Sequence, residues 1–123
     1  MLSVSTSKPE TAQLNGIWDD GALTTNPSTD AVLKDTGALE AGDYLFGFMF
    51  QATAAAIFRV EWRNAANAAT LKSQNVPIPA SNLIEPIFPT KIVLAANERI
   101  RVVIVAGITG DAQASIFRSR ISG

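Results

Sequence analysis

Leu39-Glu40-Ala41-Gly42-Asp43-Tyr44-Leu45-Phe46-Gly47-Phe48-Met49-Phe50 decides the fold, because a second stretch follows its plan about half a chain later. Leu94-Ala95-Ala96-Asn97-Glu98 opens in the same way, with Leu-x-Ala, a small turn residue and an acid, and then runs into Ile100-Arg101-Val102-Val103-Ile104-Val105. A turn feeding an apolar strand, met once in each half, is what a two-layered antiparallel β-domain needs at its core. Tyr44 to Gln51 is apolar on both strand faces, with Tyr44, Phe46, Phe48 and Phe50 on one and Leu45, Gly47 and Met49 on the other. Such a strand is expected to be covered on both sides, in a sandwich or against a neighbouring subunit.

Working outward, Ile57 to Arg63 alternates: Phe58, Val60 and Trp62 toward a core, Arg59, Glu61 and Arg63 away from it. Asn64 to Ala69 reads as a hairpin loop. Thr70 to Ile78 is a weaker strand, which Pro77 and Pro79 confine to an edge or a connection. Short strands are expected around Ile17 and Trp18, over Ala31–Lys34, Lys91–Leu94, Glu98–Val105 and Ala112–Ile121, with loops at Thr24–Thr29 and Ser81–Thr90. Residues 1–12, polar and rich in Ser and Thr, read as a flexible arm, and 13–123 as one domain. Regular strands without a convincing helix indicate an all-β antiparallel sandwich with Greek-key connections, a jelly roll before other arrangements.

The chemistry is sparse. Among 123 residues there is no Cys and no His, which removes thiolate chemistry, the commonest neutral-pH proton shuttle and the commonest transition-metal ligand. No phosphate loop and no nucleophile elbow occurs. The acids Asp19, Asp20, Asp30, Asp35 and Asp43 lack a calcium-loop spacing. Glu61 and Glu85 are conceivable as a glycosidase pair, but Glu61 alternates with Arg59 and Arg63, which cross-strand pairing explains. No catalytic, cofactor or metal residue is assigned. The missing His residues also count against a cupin-like enzyme.

The net charge of −1 hides an asymmetry. Met1 to Phe58 holds seven acids against Lys8 and Lys34, and Arg59 onward holds four acids against eight bases. Such a division can orient a docking partner or a neighbouring copy. The bases stand singly, without interleaved aromatics, so no nucleic-acid partner is expected. No apolar run approaches a membrane span, and Met1 to Glu10 lacks the basic head and apolar run of a secretion signal. A soluble protein made and kept in a cytoplasm-like compartment is therefore expected, although a particle released by lysis also fits.

Trp18, Trp62 and the six Phe residues read first as core. Apolar surface on both faces of one strand, with Val103 and Val105 behind Val102 and Ile104, nevertheless exceeds what a thin sandwich covers. A homo-oligomer, a trimer before a dimer, is expected to absorb it through Tyr44, Phe46, Phe48, Phe50, Val103 and Val105.

Asp35-Thr36-Gly37-Ala38-Leu39-Glu40-Ala41-Gly42-Asp43-Tyr44-Leu45-Phe46 resembles the T-G-x…G-x-Y-x-F opening strand of jelly rolls of the tumour-necrosis-factor and complement-head type. Val93 to Val102 is similar to their later L-x-x-G-(D/E)-x-I-x-(L/V) strand, with Asn97 where glycine is usual. The resemblance spans roughly Asp35 to Gly123 and implies trimers built through aromatic strand faces. A small jelly roll rich in Ala, Thr and Asn, with a polar arm and no Cys, also looks like the cement or decoration proteins of tailed-phage capsids. That likeness implies a role but no individual residue: a non-enzymatic virion protein on the bacteriophage capsid surface, stapling subunits of the major capsid protein. Leu2, Val4, Lys8, Arg118 and Arg120 are the expected capsid contacts, and the groups Asp19, Asp20, Asp30, Asp35 and Arg118, Arg120, Lys91 would set orientation. The alternative is a carbohydrate- or receptor-binding head of a tail fibre or a lectin, using Trp18 or Trp62 as a sugar platform.

Overall fold

The computed structural model describes residues 16–80, 82–84 and 91–122. Among them are ten strands and no helix: β1 (Ile17–Asp20), β2 (Thr24–Thr25), β3 (Val32–Asp35), β4 (Gly42–Ala52), β5 (Ala56–Arg63), β6 (Thr70–Ile78), β7 (Asn82–Ile84), β8 (Ile92–Leu94), β9 (Arg99–Ile104) and β10 (Asp111–Ser122). They form two antiparallel sheets. One has the order β1-β10-β4-β7, with β2 also on β10 and β8 also on β4; the other runs β3-β9-β5-β6. The chain is in effect one long hairpin whose apex is the β5–β6 turn. Its outgoing strands β1, β3, β4 and β5 pair with the returning β10, β9, β8/β7 and β6, and the ribbon rolls into two facing layers. This is the jelly-roll sandwich.

The alternation of β4 sets the core. Tyr44, Phe46, Phe48 and Phe50 all point between the sheets and are buried. Phe48 and Phe50 stack with centroids 5.8 Å apart, and Phe50 meets Phe58 of the opposite sheet at 5.1 Å. Val60, Ile100, Val102, Ile104, Ala114 and Ile116 fill the remaining interior. The two similar stretches meet in space: Gly42 pairs with Leu94, and the backbone of Leu39 bonds to Asn97 and Glu98. Asn97 stands at φ 69°, a left-handed conformation glycine adopts freely and asparagine tolerates.

The hairpin loop expected at Asn64–Ala69 is present. Asn67 is at φ 55°, and Asn64 Oδ1 accepts the N–H groups of Ala68 and Ala69. Two short strands lie where only loop was expected. Thr24–Thr25 pairs with Asp111 and Ala112, and Asn82–Ile84 pairs with the end of β4. The arm expected over residues 1–12, with Leu2, Val4 and Lys8, lies outside the described residues. No helix among the described residues is long and apolar enough to cross a membrane.

Candidate interaction surfaces

Two sheet faces point away from the core, and they differ in chemistry. The outer face of the six-stranded sheet follows from β10, where Ala112, Ala114 and Ile116 point inward, so Gln113, Ser115, Phe117 and Ser119 point outward. Phe117 lies in register with Trp18 of β1 and Gly47 of β4. The missing side chain at Gly47 leaves room there, and the Trp18 ring tilts against Phe117 at 5.2 Å. Gly16 allows the same ring to approach: a Cβ there would collide with the edge of the Phe117 ring. Leu45 and Met49 flank Gly47 and are half-buried. Trp18 is 46% exposed, Val93 60%, and Ile121, at the bulge ending the β10–β4 ladder, 50%. Among the described residues no further layer packs on this face.

The outer face of the four-stranded sheet is charged. Glu61 is only 4% exposed although it points away from the core. Its carboxylate accepts from Arg59 Nε at 2.8 Å and Arg101 Nε at 2.6 Å. Burial pushes this carboxyl up, but the bonds from Arg101 and Arg59 outweigh it and hold the group below the usual glutamate range. The Arg59 guanidinium is raised in turn, first through its bond to Glu61 and further by Asp30, 3.3 Å away. Asp35 lies 3.6 Å from Arg99.

These positions correct several expectations. Tyr44, Phe46, Phe48 and Phe50 fill the chain's own interior, so they have no surface left to offer a second copy. Val103 is also buried, in register between Val32 and Arg59, and Val105 is half-buried beside the edge of β5, where its N–H donates to Ile57 O. The apolar surface that does remain exposed lies on the opposite face of the six-stranded sheet. Asp19, Asp20, Asp30 and Asp35 form no common acidic face, and Arg118, Arg120 and Lys91 no basic one. Instead the two halves of the chain neutralise each other: Asp19 pairs with Arg118, Glu40 with Arg120, Asp43 with Lys91, Asp30 with Arg59 and Asp35 with Arg99. Arg118 and Arg120 share the inward side of β10 and emerge at its open end; Arg120 also donates to Ala41 O. Trp62 faces inward and is half-buried; it donates to Glu98 Oε1 at 3.0 Å and lines a cavity with Val60, Lys72 and Ile92.

The sequence reading grouped Phe117 with the core. The signal that places it outside was present, since Gln113, Ser115 and Ser119 alternate with it along one strand.

No protein-family model matches the chain, and no curated protein does. Among solved structures it is similar to the globular domain of the zebrafish complement 1qA protein, with a TM-score of 0.55 and 12% identity, covering 86% of this chain and 94% of that one. It is also similar to part of an arabinose-bound α-L-arabinofuranosidase, with a TM-score of 0.51 and 12% identity over 85% of this chain but 22% of the enzyme. At such identities the likeness carries fold alone: an all-β jelly-roll sandwich with a complement-head-like neighbour.

Proposed function

We propose that this chain is a non-enzymatic structural protein of a virion, a cement or decoration protein that self-associates, as a trimer before a dimer, and staples neighbouring major capsid subunits. One observation carries the reading. The sandwich interior is filled by its own Phe column, yet the outer face of the six-stranded sheet keeps Trp18, Val93 and Ile121 exposed around half-buried Leu45, Met49 and Phe117. Exposed large apolar side chains on one sheet face are stabilised by a partner that covers them. An oligomer presents several weak contacts together, and effective concentration converts them into firm binding to a repetitive shell. In this reading residues 1–12 reach onto the shell through Leu2, Val4 and Lys8. Against an acid pair in catalysis, Glu61 has both oxygens committed to arginines. The test is co-sedimentation with empty capsids of the phage that encodes the chain. Full-length protein is expected to pellet with shells, and deletion of residues 1–12 to weaken binding while the oligomer stays folded. Full-length protein remaining in the supernatant would overturn the reading.

A second reading is supported by Trp18, whose exposed ring, braced against Phe117, suits stacking on a sugar. The chain would then be a carbohydrate- or receptor-binding head of a tail fibre or a lectin. A glycan array giving signal that Trp18→Ser removes would favour this reading over the first.

A further inference from the structure

The charged sheet face is laid out in rows that cross its strands. One row runs Asp35, Arg101, Glu61, Ser73 in register, so acid and base alternate and the arginine stands between two carboxylates. The next row toward the Asn64–Ala69 turn runs Arg99, Arg63, Thr70. Here two guanidiniums are attached at directly opposite positions of hydrogen-bonded strands, with no acid in register beside them among the described residues. Like charges so placed weaken a ladder.

The two side chains are also poorly matched by acceptors. Arg63 donates Nε to Asn67 Oδ1 at 2.9 Å, Nη1 to Thr70 Oγ1 at 2.9 Å and Nη2 to Asn67 O at 2.8 Å, all of them neutral oxygens. Arg99 Nη1 forms an ion pair with Asp35 Oδ2 at 3.6 Å, longer than a hydrogen bond, while Asp35 Oδ1 accepts the Gly37 N–H at 2.7 Å. The Arg99 Nε is buried with no acceptor at all. Buried donors are nearly always satisfied, so such a group needs an explanation. Arg101, two residues along the same strand face, has its Nε on Glu61. The row therefore sets two guanidiniums against one carboxylate, that of Asp35, which pairs with Arg99 at a distance longer than a hydrogen bond, whereas Glu61 one row away is bonded directly to Arg59 and Arg101.

We infer that an oxyanion completes this row, seated across the outer edges of the Arg63 and Arg99 guanidiniums with Arg101 beside it. A carboxylate, sulfate or phosphate group presents the two-oxygen face that a planar guanidinium fork recognises, and its charge relieves the Arg63–Arg99 repulsion. The inference does not depend on the proposed capsid role, because it concerns the other sheet.

The test is NMR on the full-length chain, following the arginine Nε–Hε signals while sodium phosphate, and separately sodium acetate, is titrated at constant ionic strength. Arg63 and Arg99 are expected to shift along saturable curves in the millimolar range while Arg59, already held by Glu61 and Asp30, moves little. Saturation by phosphate alone identifies a phosphoryl ligand; saturation by acetate identifies a carboxylate. Arg63→Gln should weaken the affinity read at Arg99 about tenfold or more, the worth of one charge-assisted bond. Arg99→Gln, read at Arg63, serves the same purpose if the first variant folds poorly. Linear, non-saturating shifts in both salts, equal to those of Arg59, would overturn the site.

Discussion

Replacing Glu61 by Gln tests the charged face directly. The carboxylate is 4% exposed and shares its two oxygens between Arg59 Nε and Arg101 Nε. Gln keeps the shape and one acceptor, but turns an amide N–H₂ toward one guanidinium. Bonds to charged groups contribute about 1.5–3 kcal/mol each, and leaving a buried charge without its partner costs about 3–5 kcal/mol. The two arginine side chains are still 26% and 20% exposed and regain some water, so the loss is discounted to about 2–3 kcal/mol. For a chain of this length that is a fall in Tm of roughly 6–15 °C at pH 7. The pH dependence has a definite sign. A carboxyl whose folded pKa is depressed contributes stability fully above its unfolded pKa, near 4.5, and loses it as pH falls through the lower folded value. Wild-type protein is therefore expected to lose stability steeply below about pH 4.5, and Glu61→Gln to show a flatter acid limb. Thermal and urea melts from pH 7 to pH 3 measure both. Equal stability at pH 7 with superimposable acid limbs would refute the claim that Glu61 organises this face.

Three further outcomes are expected. Phe50→Ala empties a fully buried site between Phe48 and Phe58, and should cost about 3–5 kcal/mol in urea unfolding without altering the association of the folded fraction. Trp18→Ser should cost only about 1–2 kcal/mol of stability. Its exposed 46% of a ring system of ~250 Å² is roughly 115 Å², worth about 3 kcal/mol if covered by a partner, so self-association followed by sedimentation should weaken by about a hundredfold. Asn97→Ala places an alanine at φ 69° and should cost about 1 kcal/mol, whereas Asn97→Gly should melt within about 0.5 kcal/mol of wild type.

The fold was largely legible because its signals are local. The alternation of Ile57–Arg63, the Asn-rich turn after it and the turn-plus-strand plan of the two halves each act within a few residues. Tyr44–Phe50 was harder. Period-two patterning says that one face is inside, but with Leu45 and Met49 opposite the aromatics it does not say which, and packing volume decides for the phenylalanines. Asn82–Ile84 is too short to show a period between its flanking prolines. The sites were less legible because they depend on pairing at long range. The acid-rich first half looked like a docking surface until the rolled hairpin brought Asp19, Glu40 and Asp43 against Arg118, Arg120 and Lys91. The Arg63–Arg99 opposition likewise exists only once β5 and β9 are in register.

Whether the outer face of the six-stranded sheet holds further copies of the chain is decided by light scattering on the full chain at micromolar concentration. The expected mass is a multiple of the 13.0 kDa chain, trimeric before dimeric, returning toward a single chain in Trp18→Ser. A wild-type mass of one chain across that range would contradict such a contact.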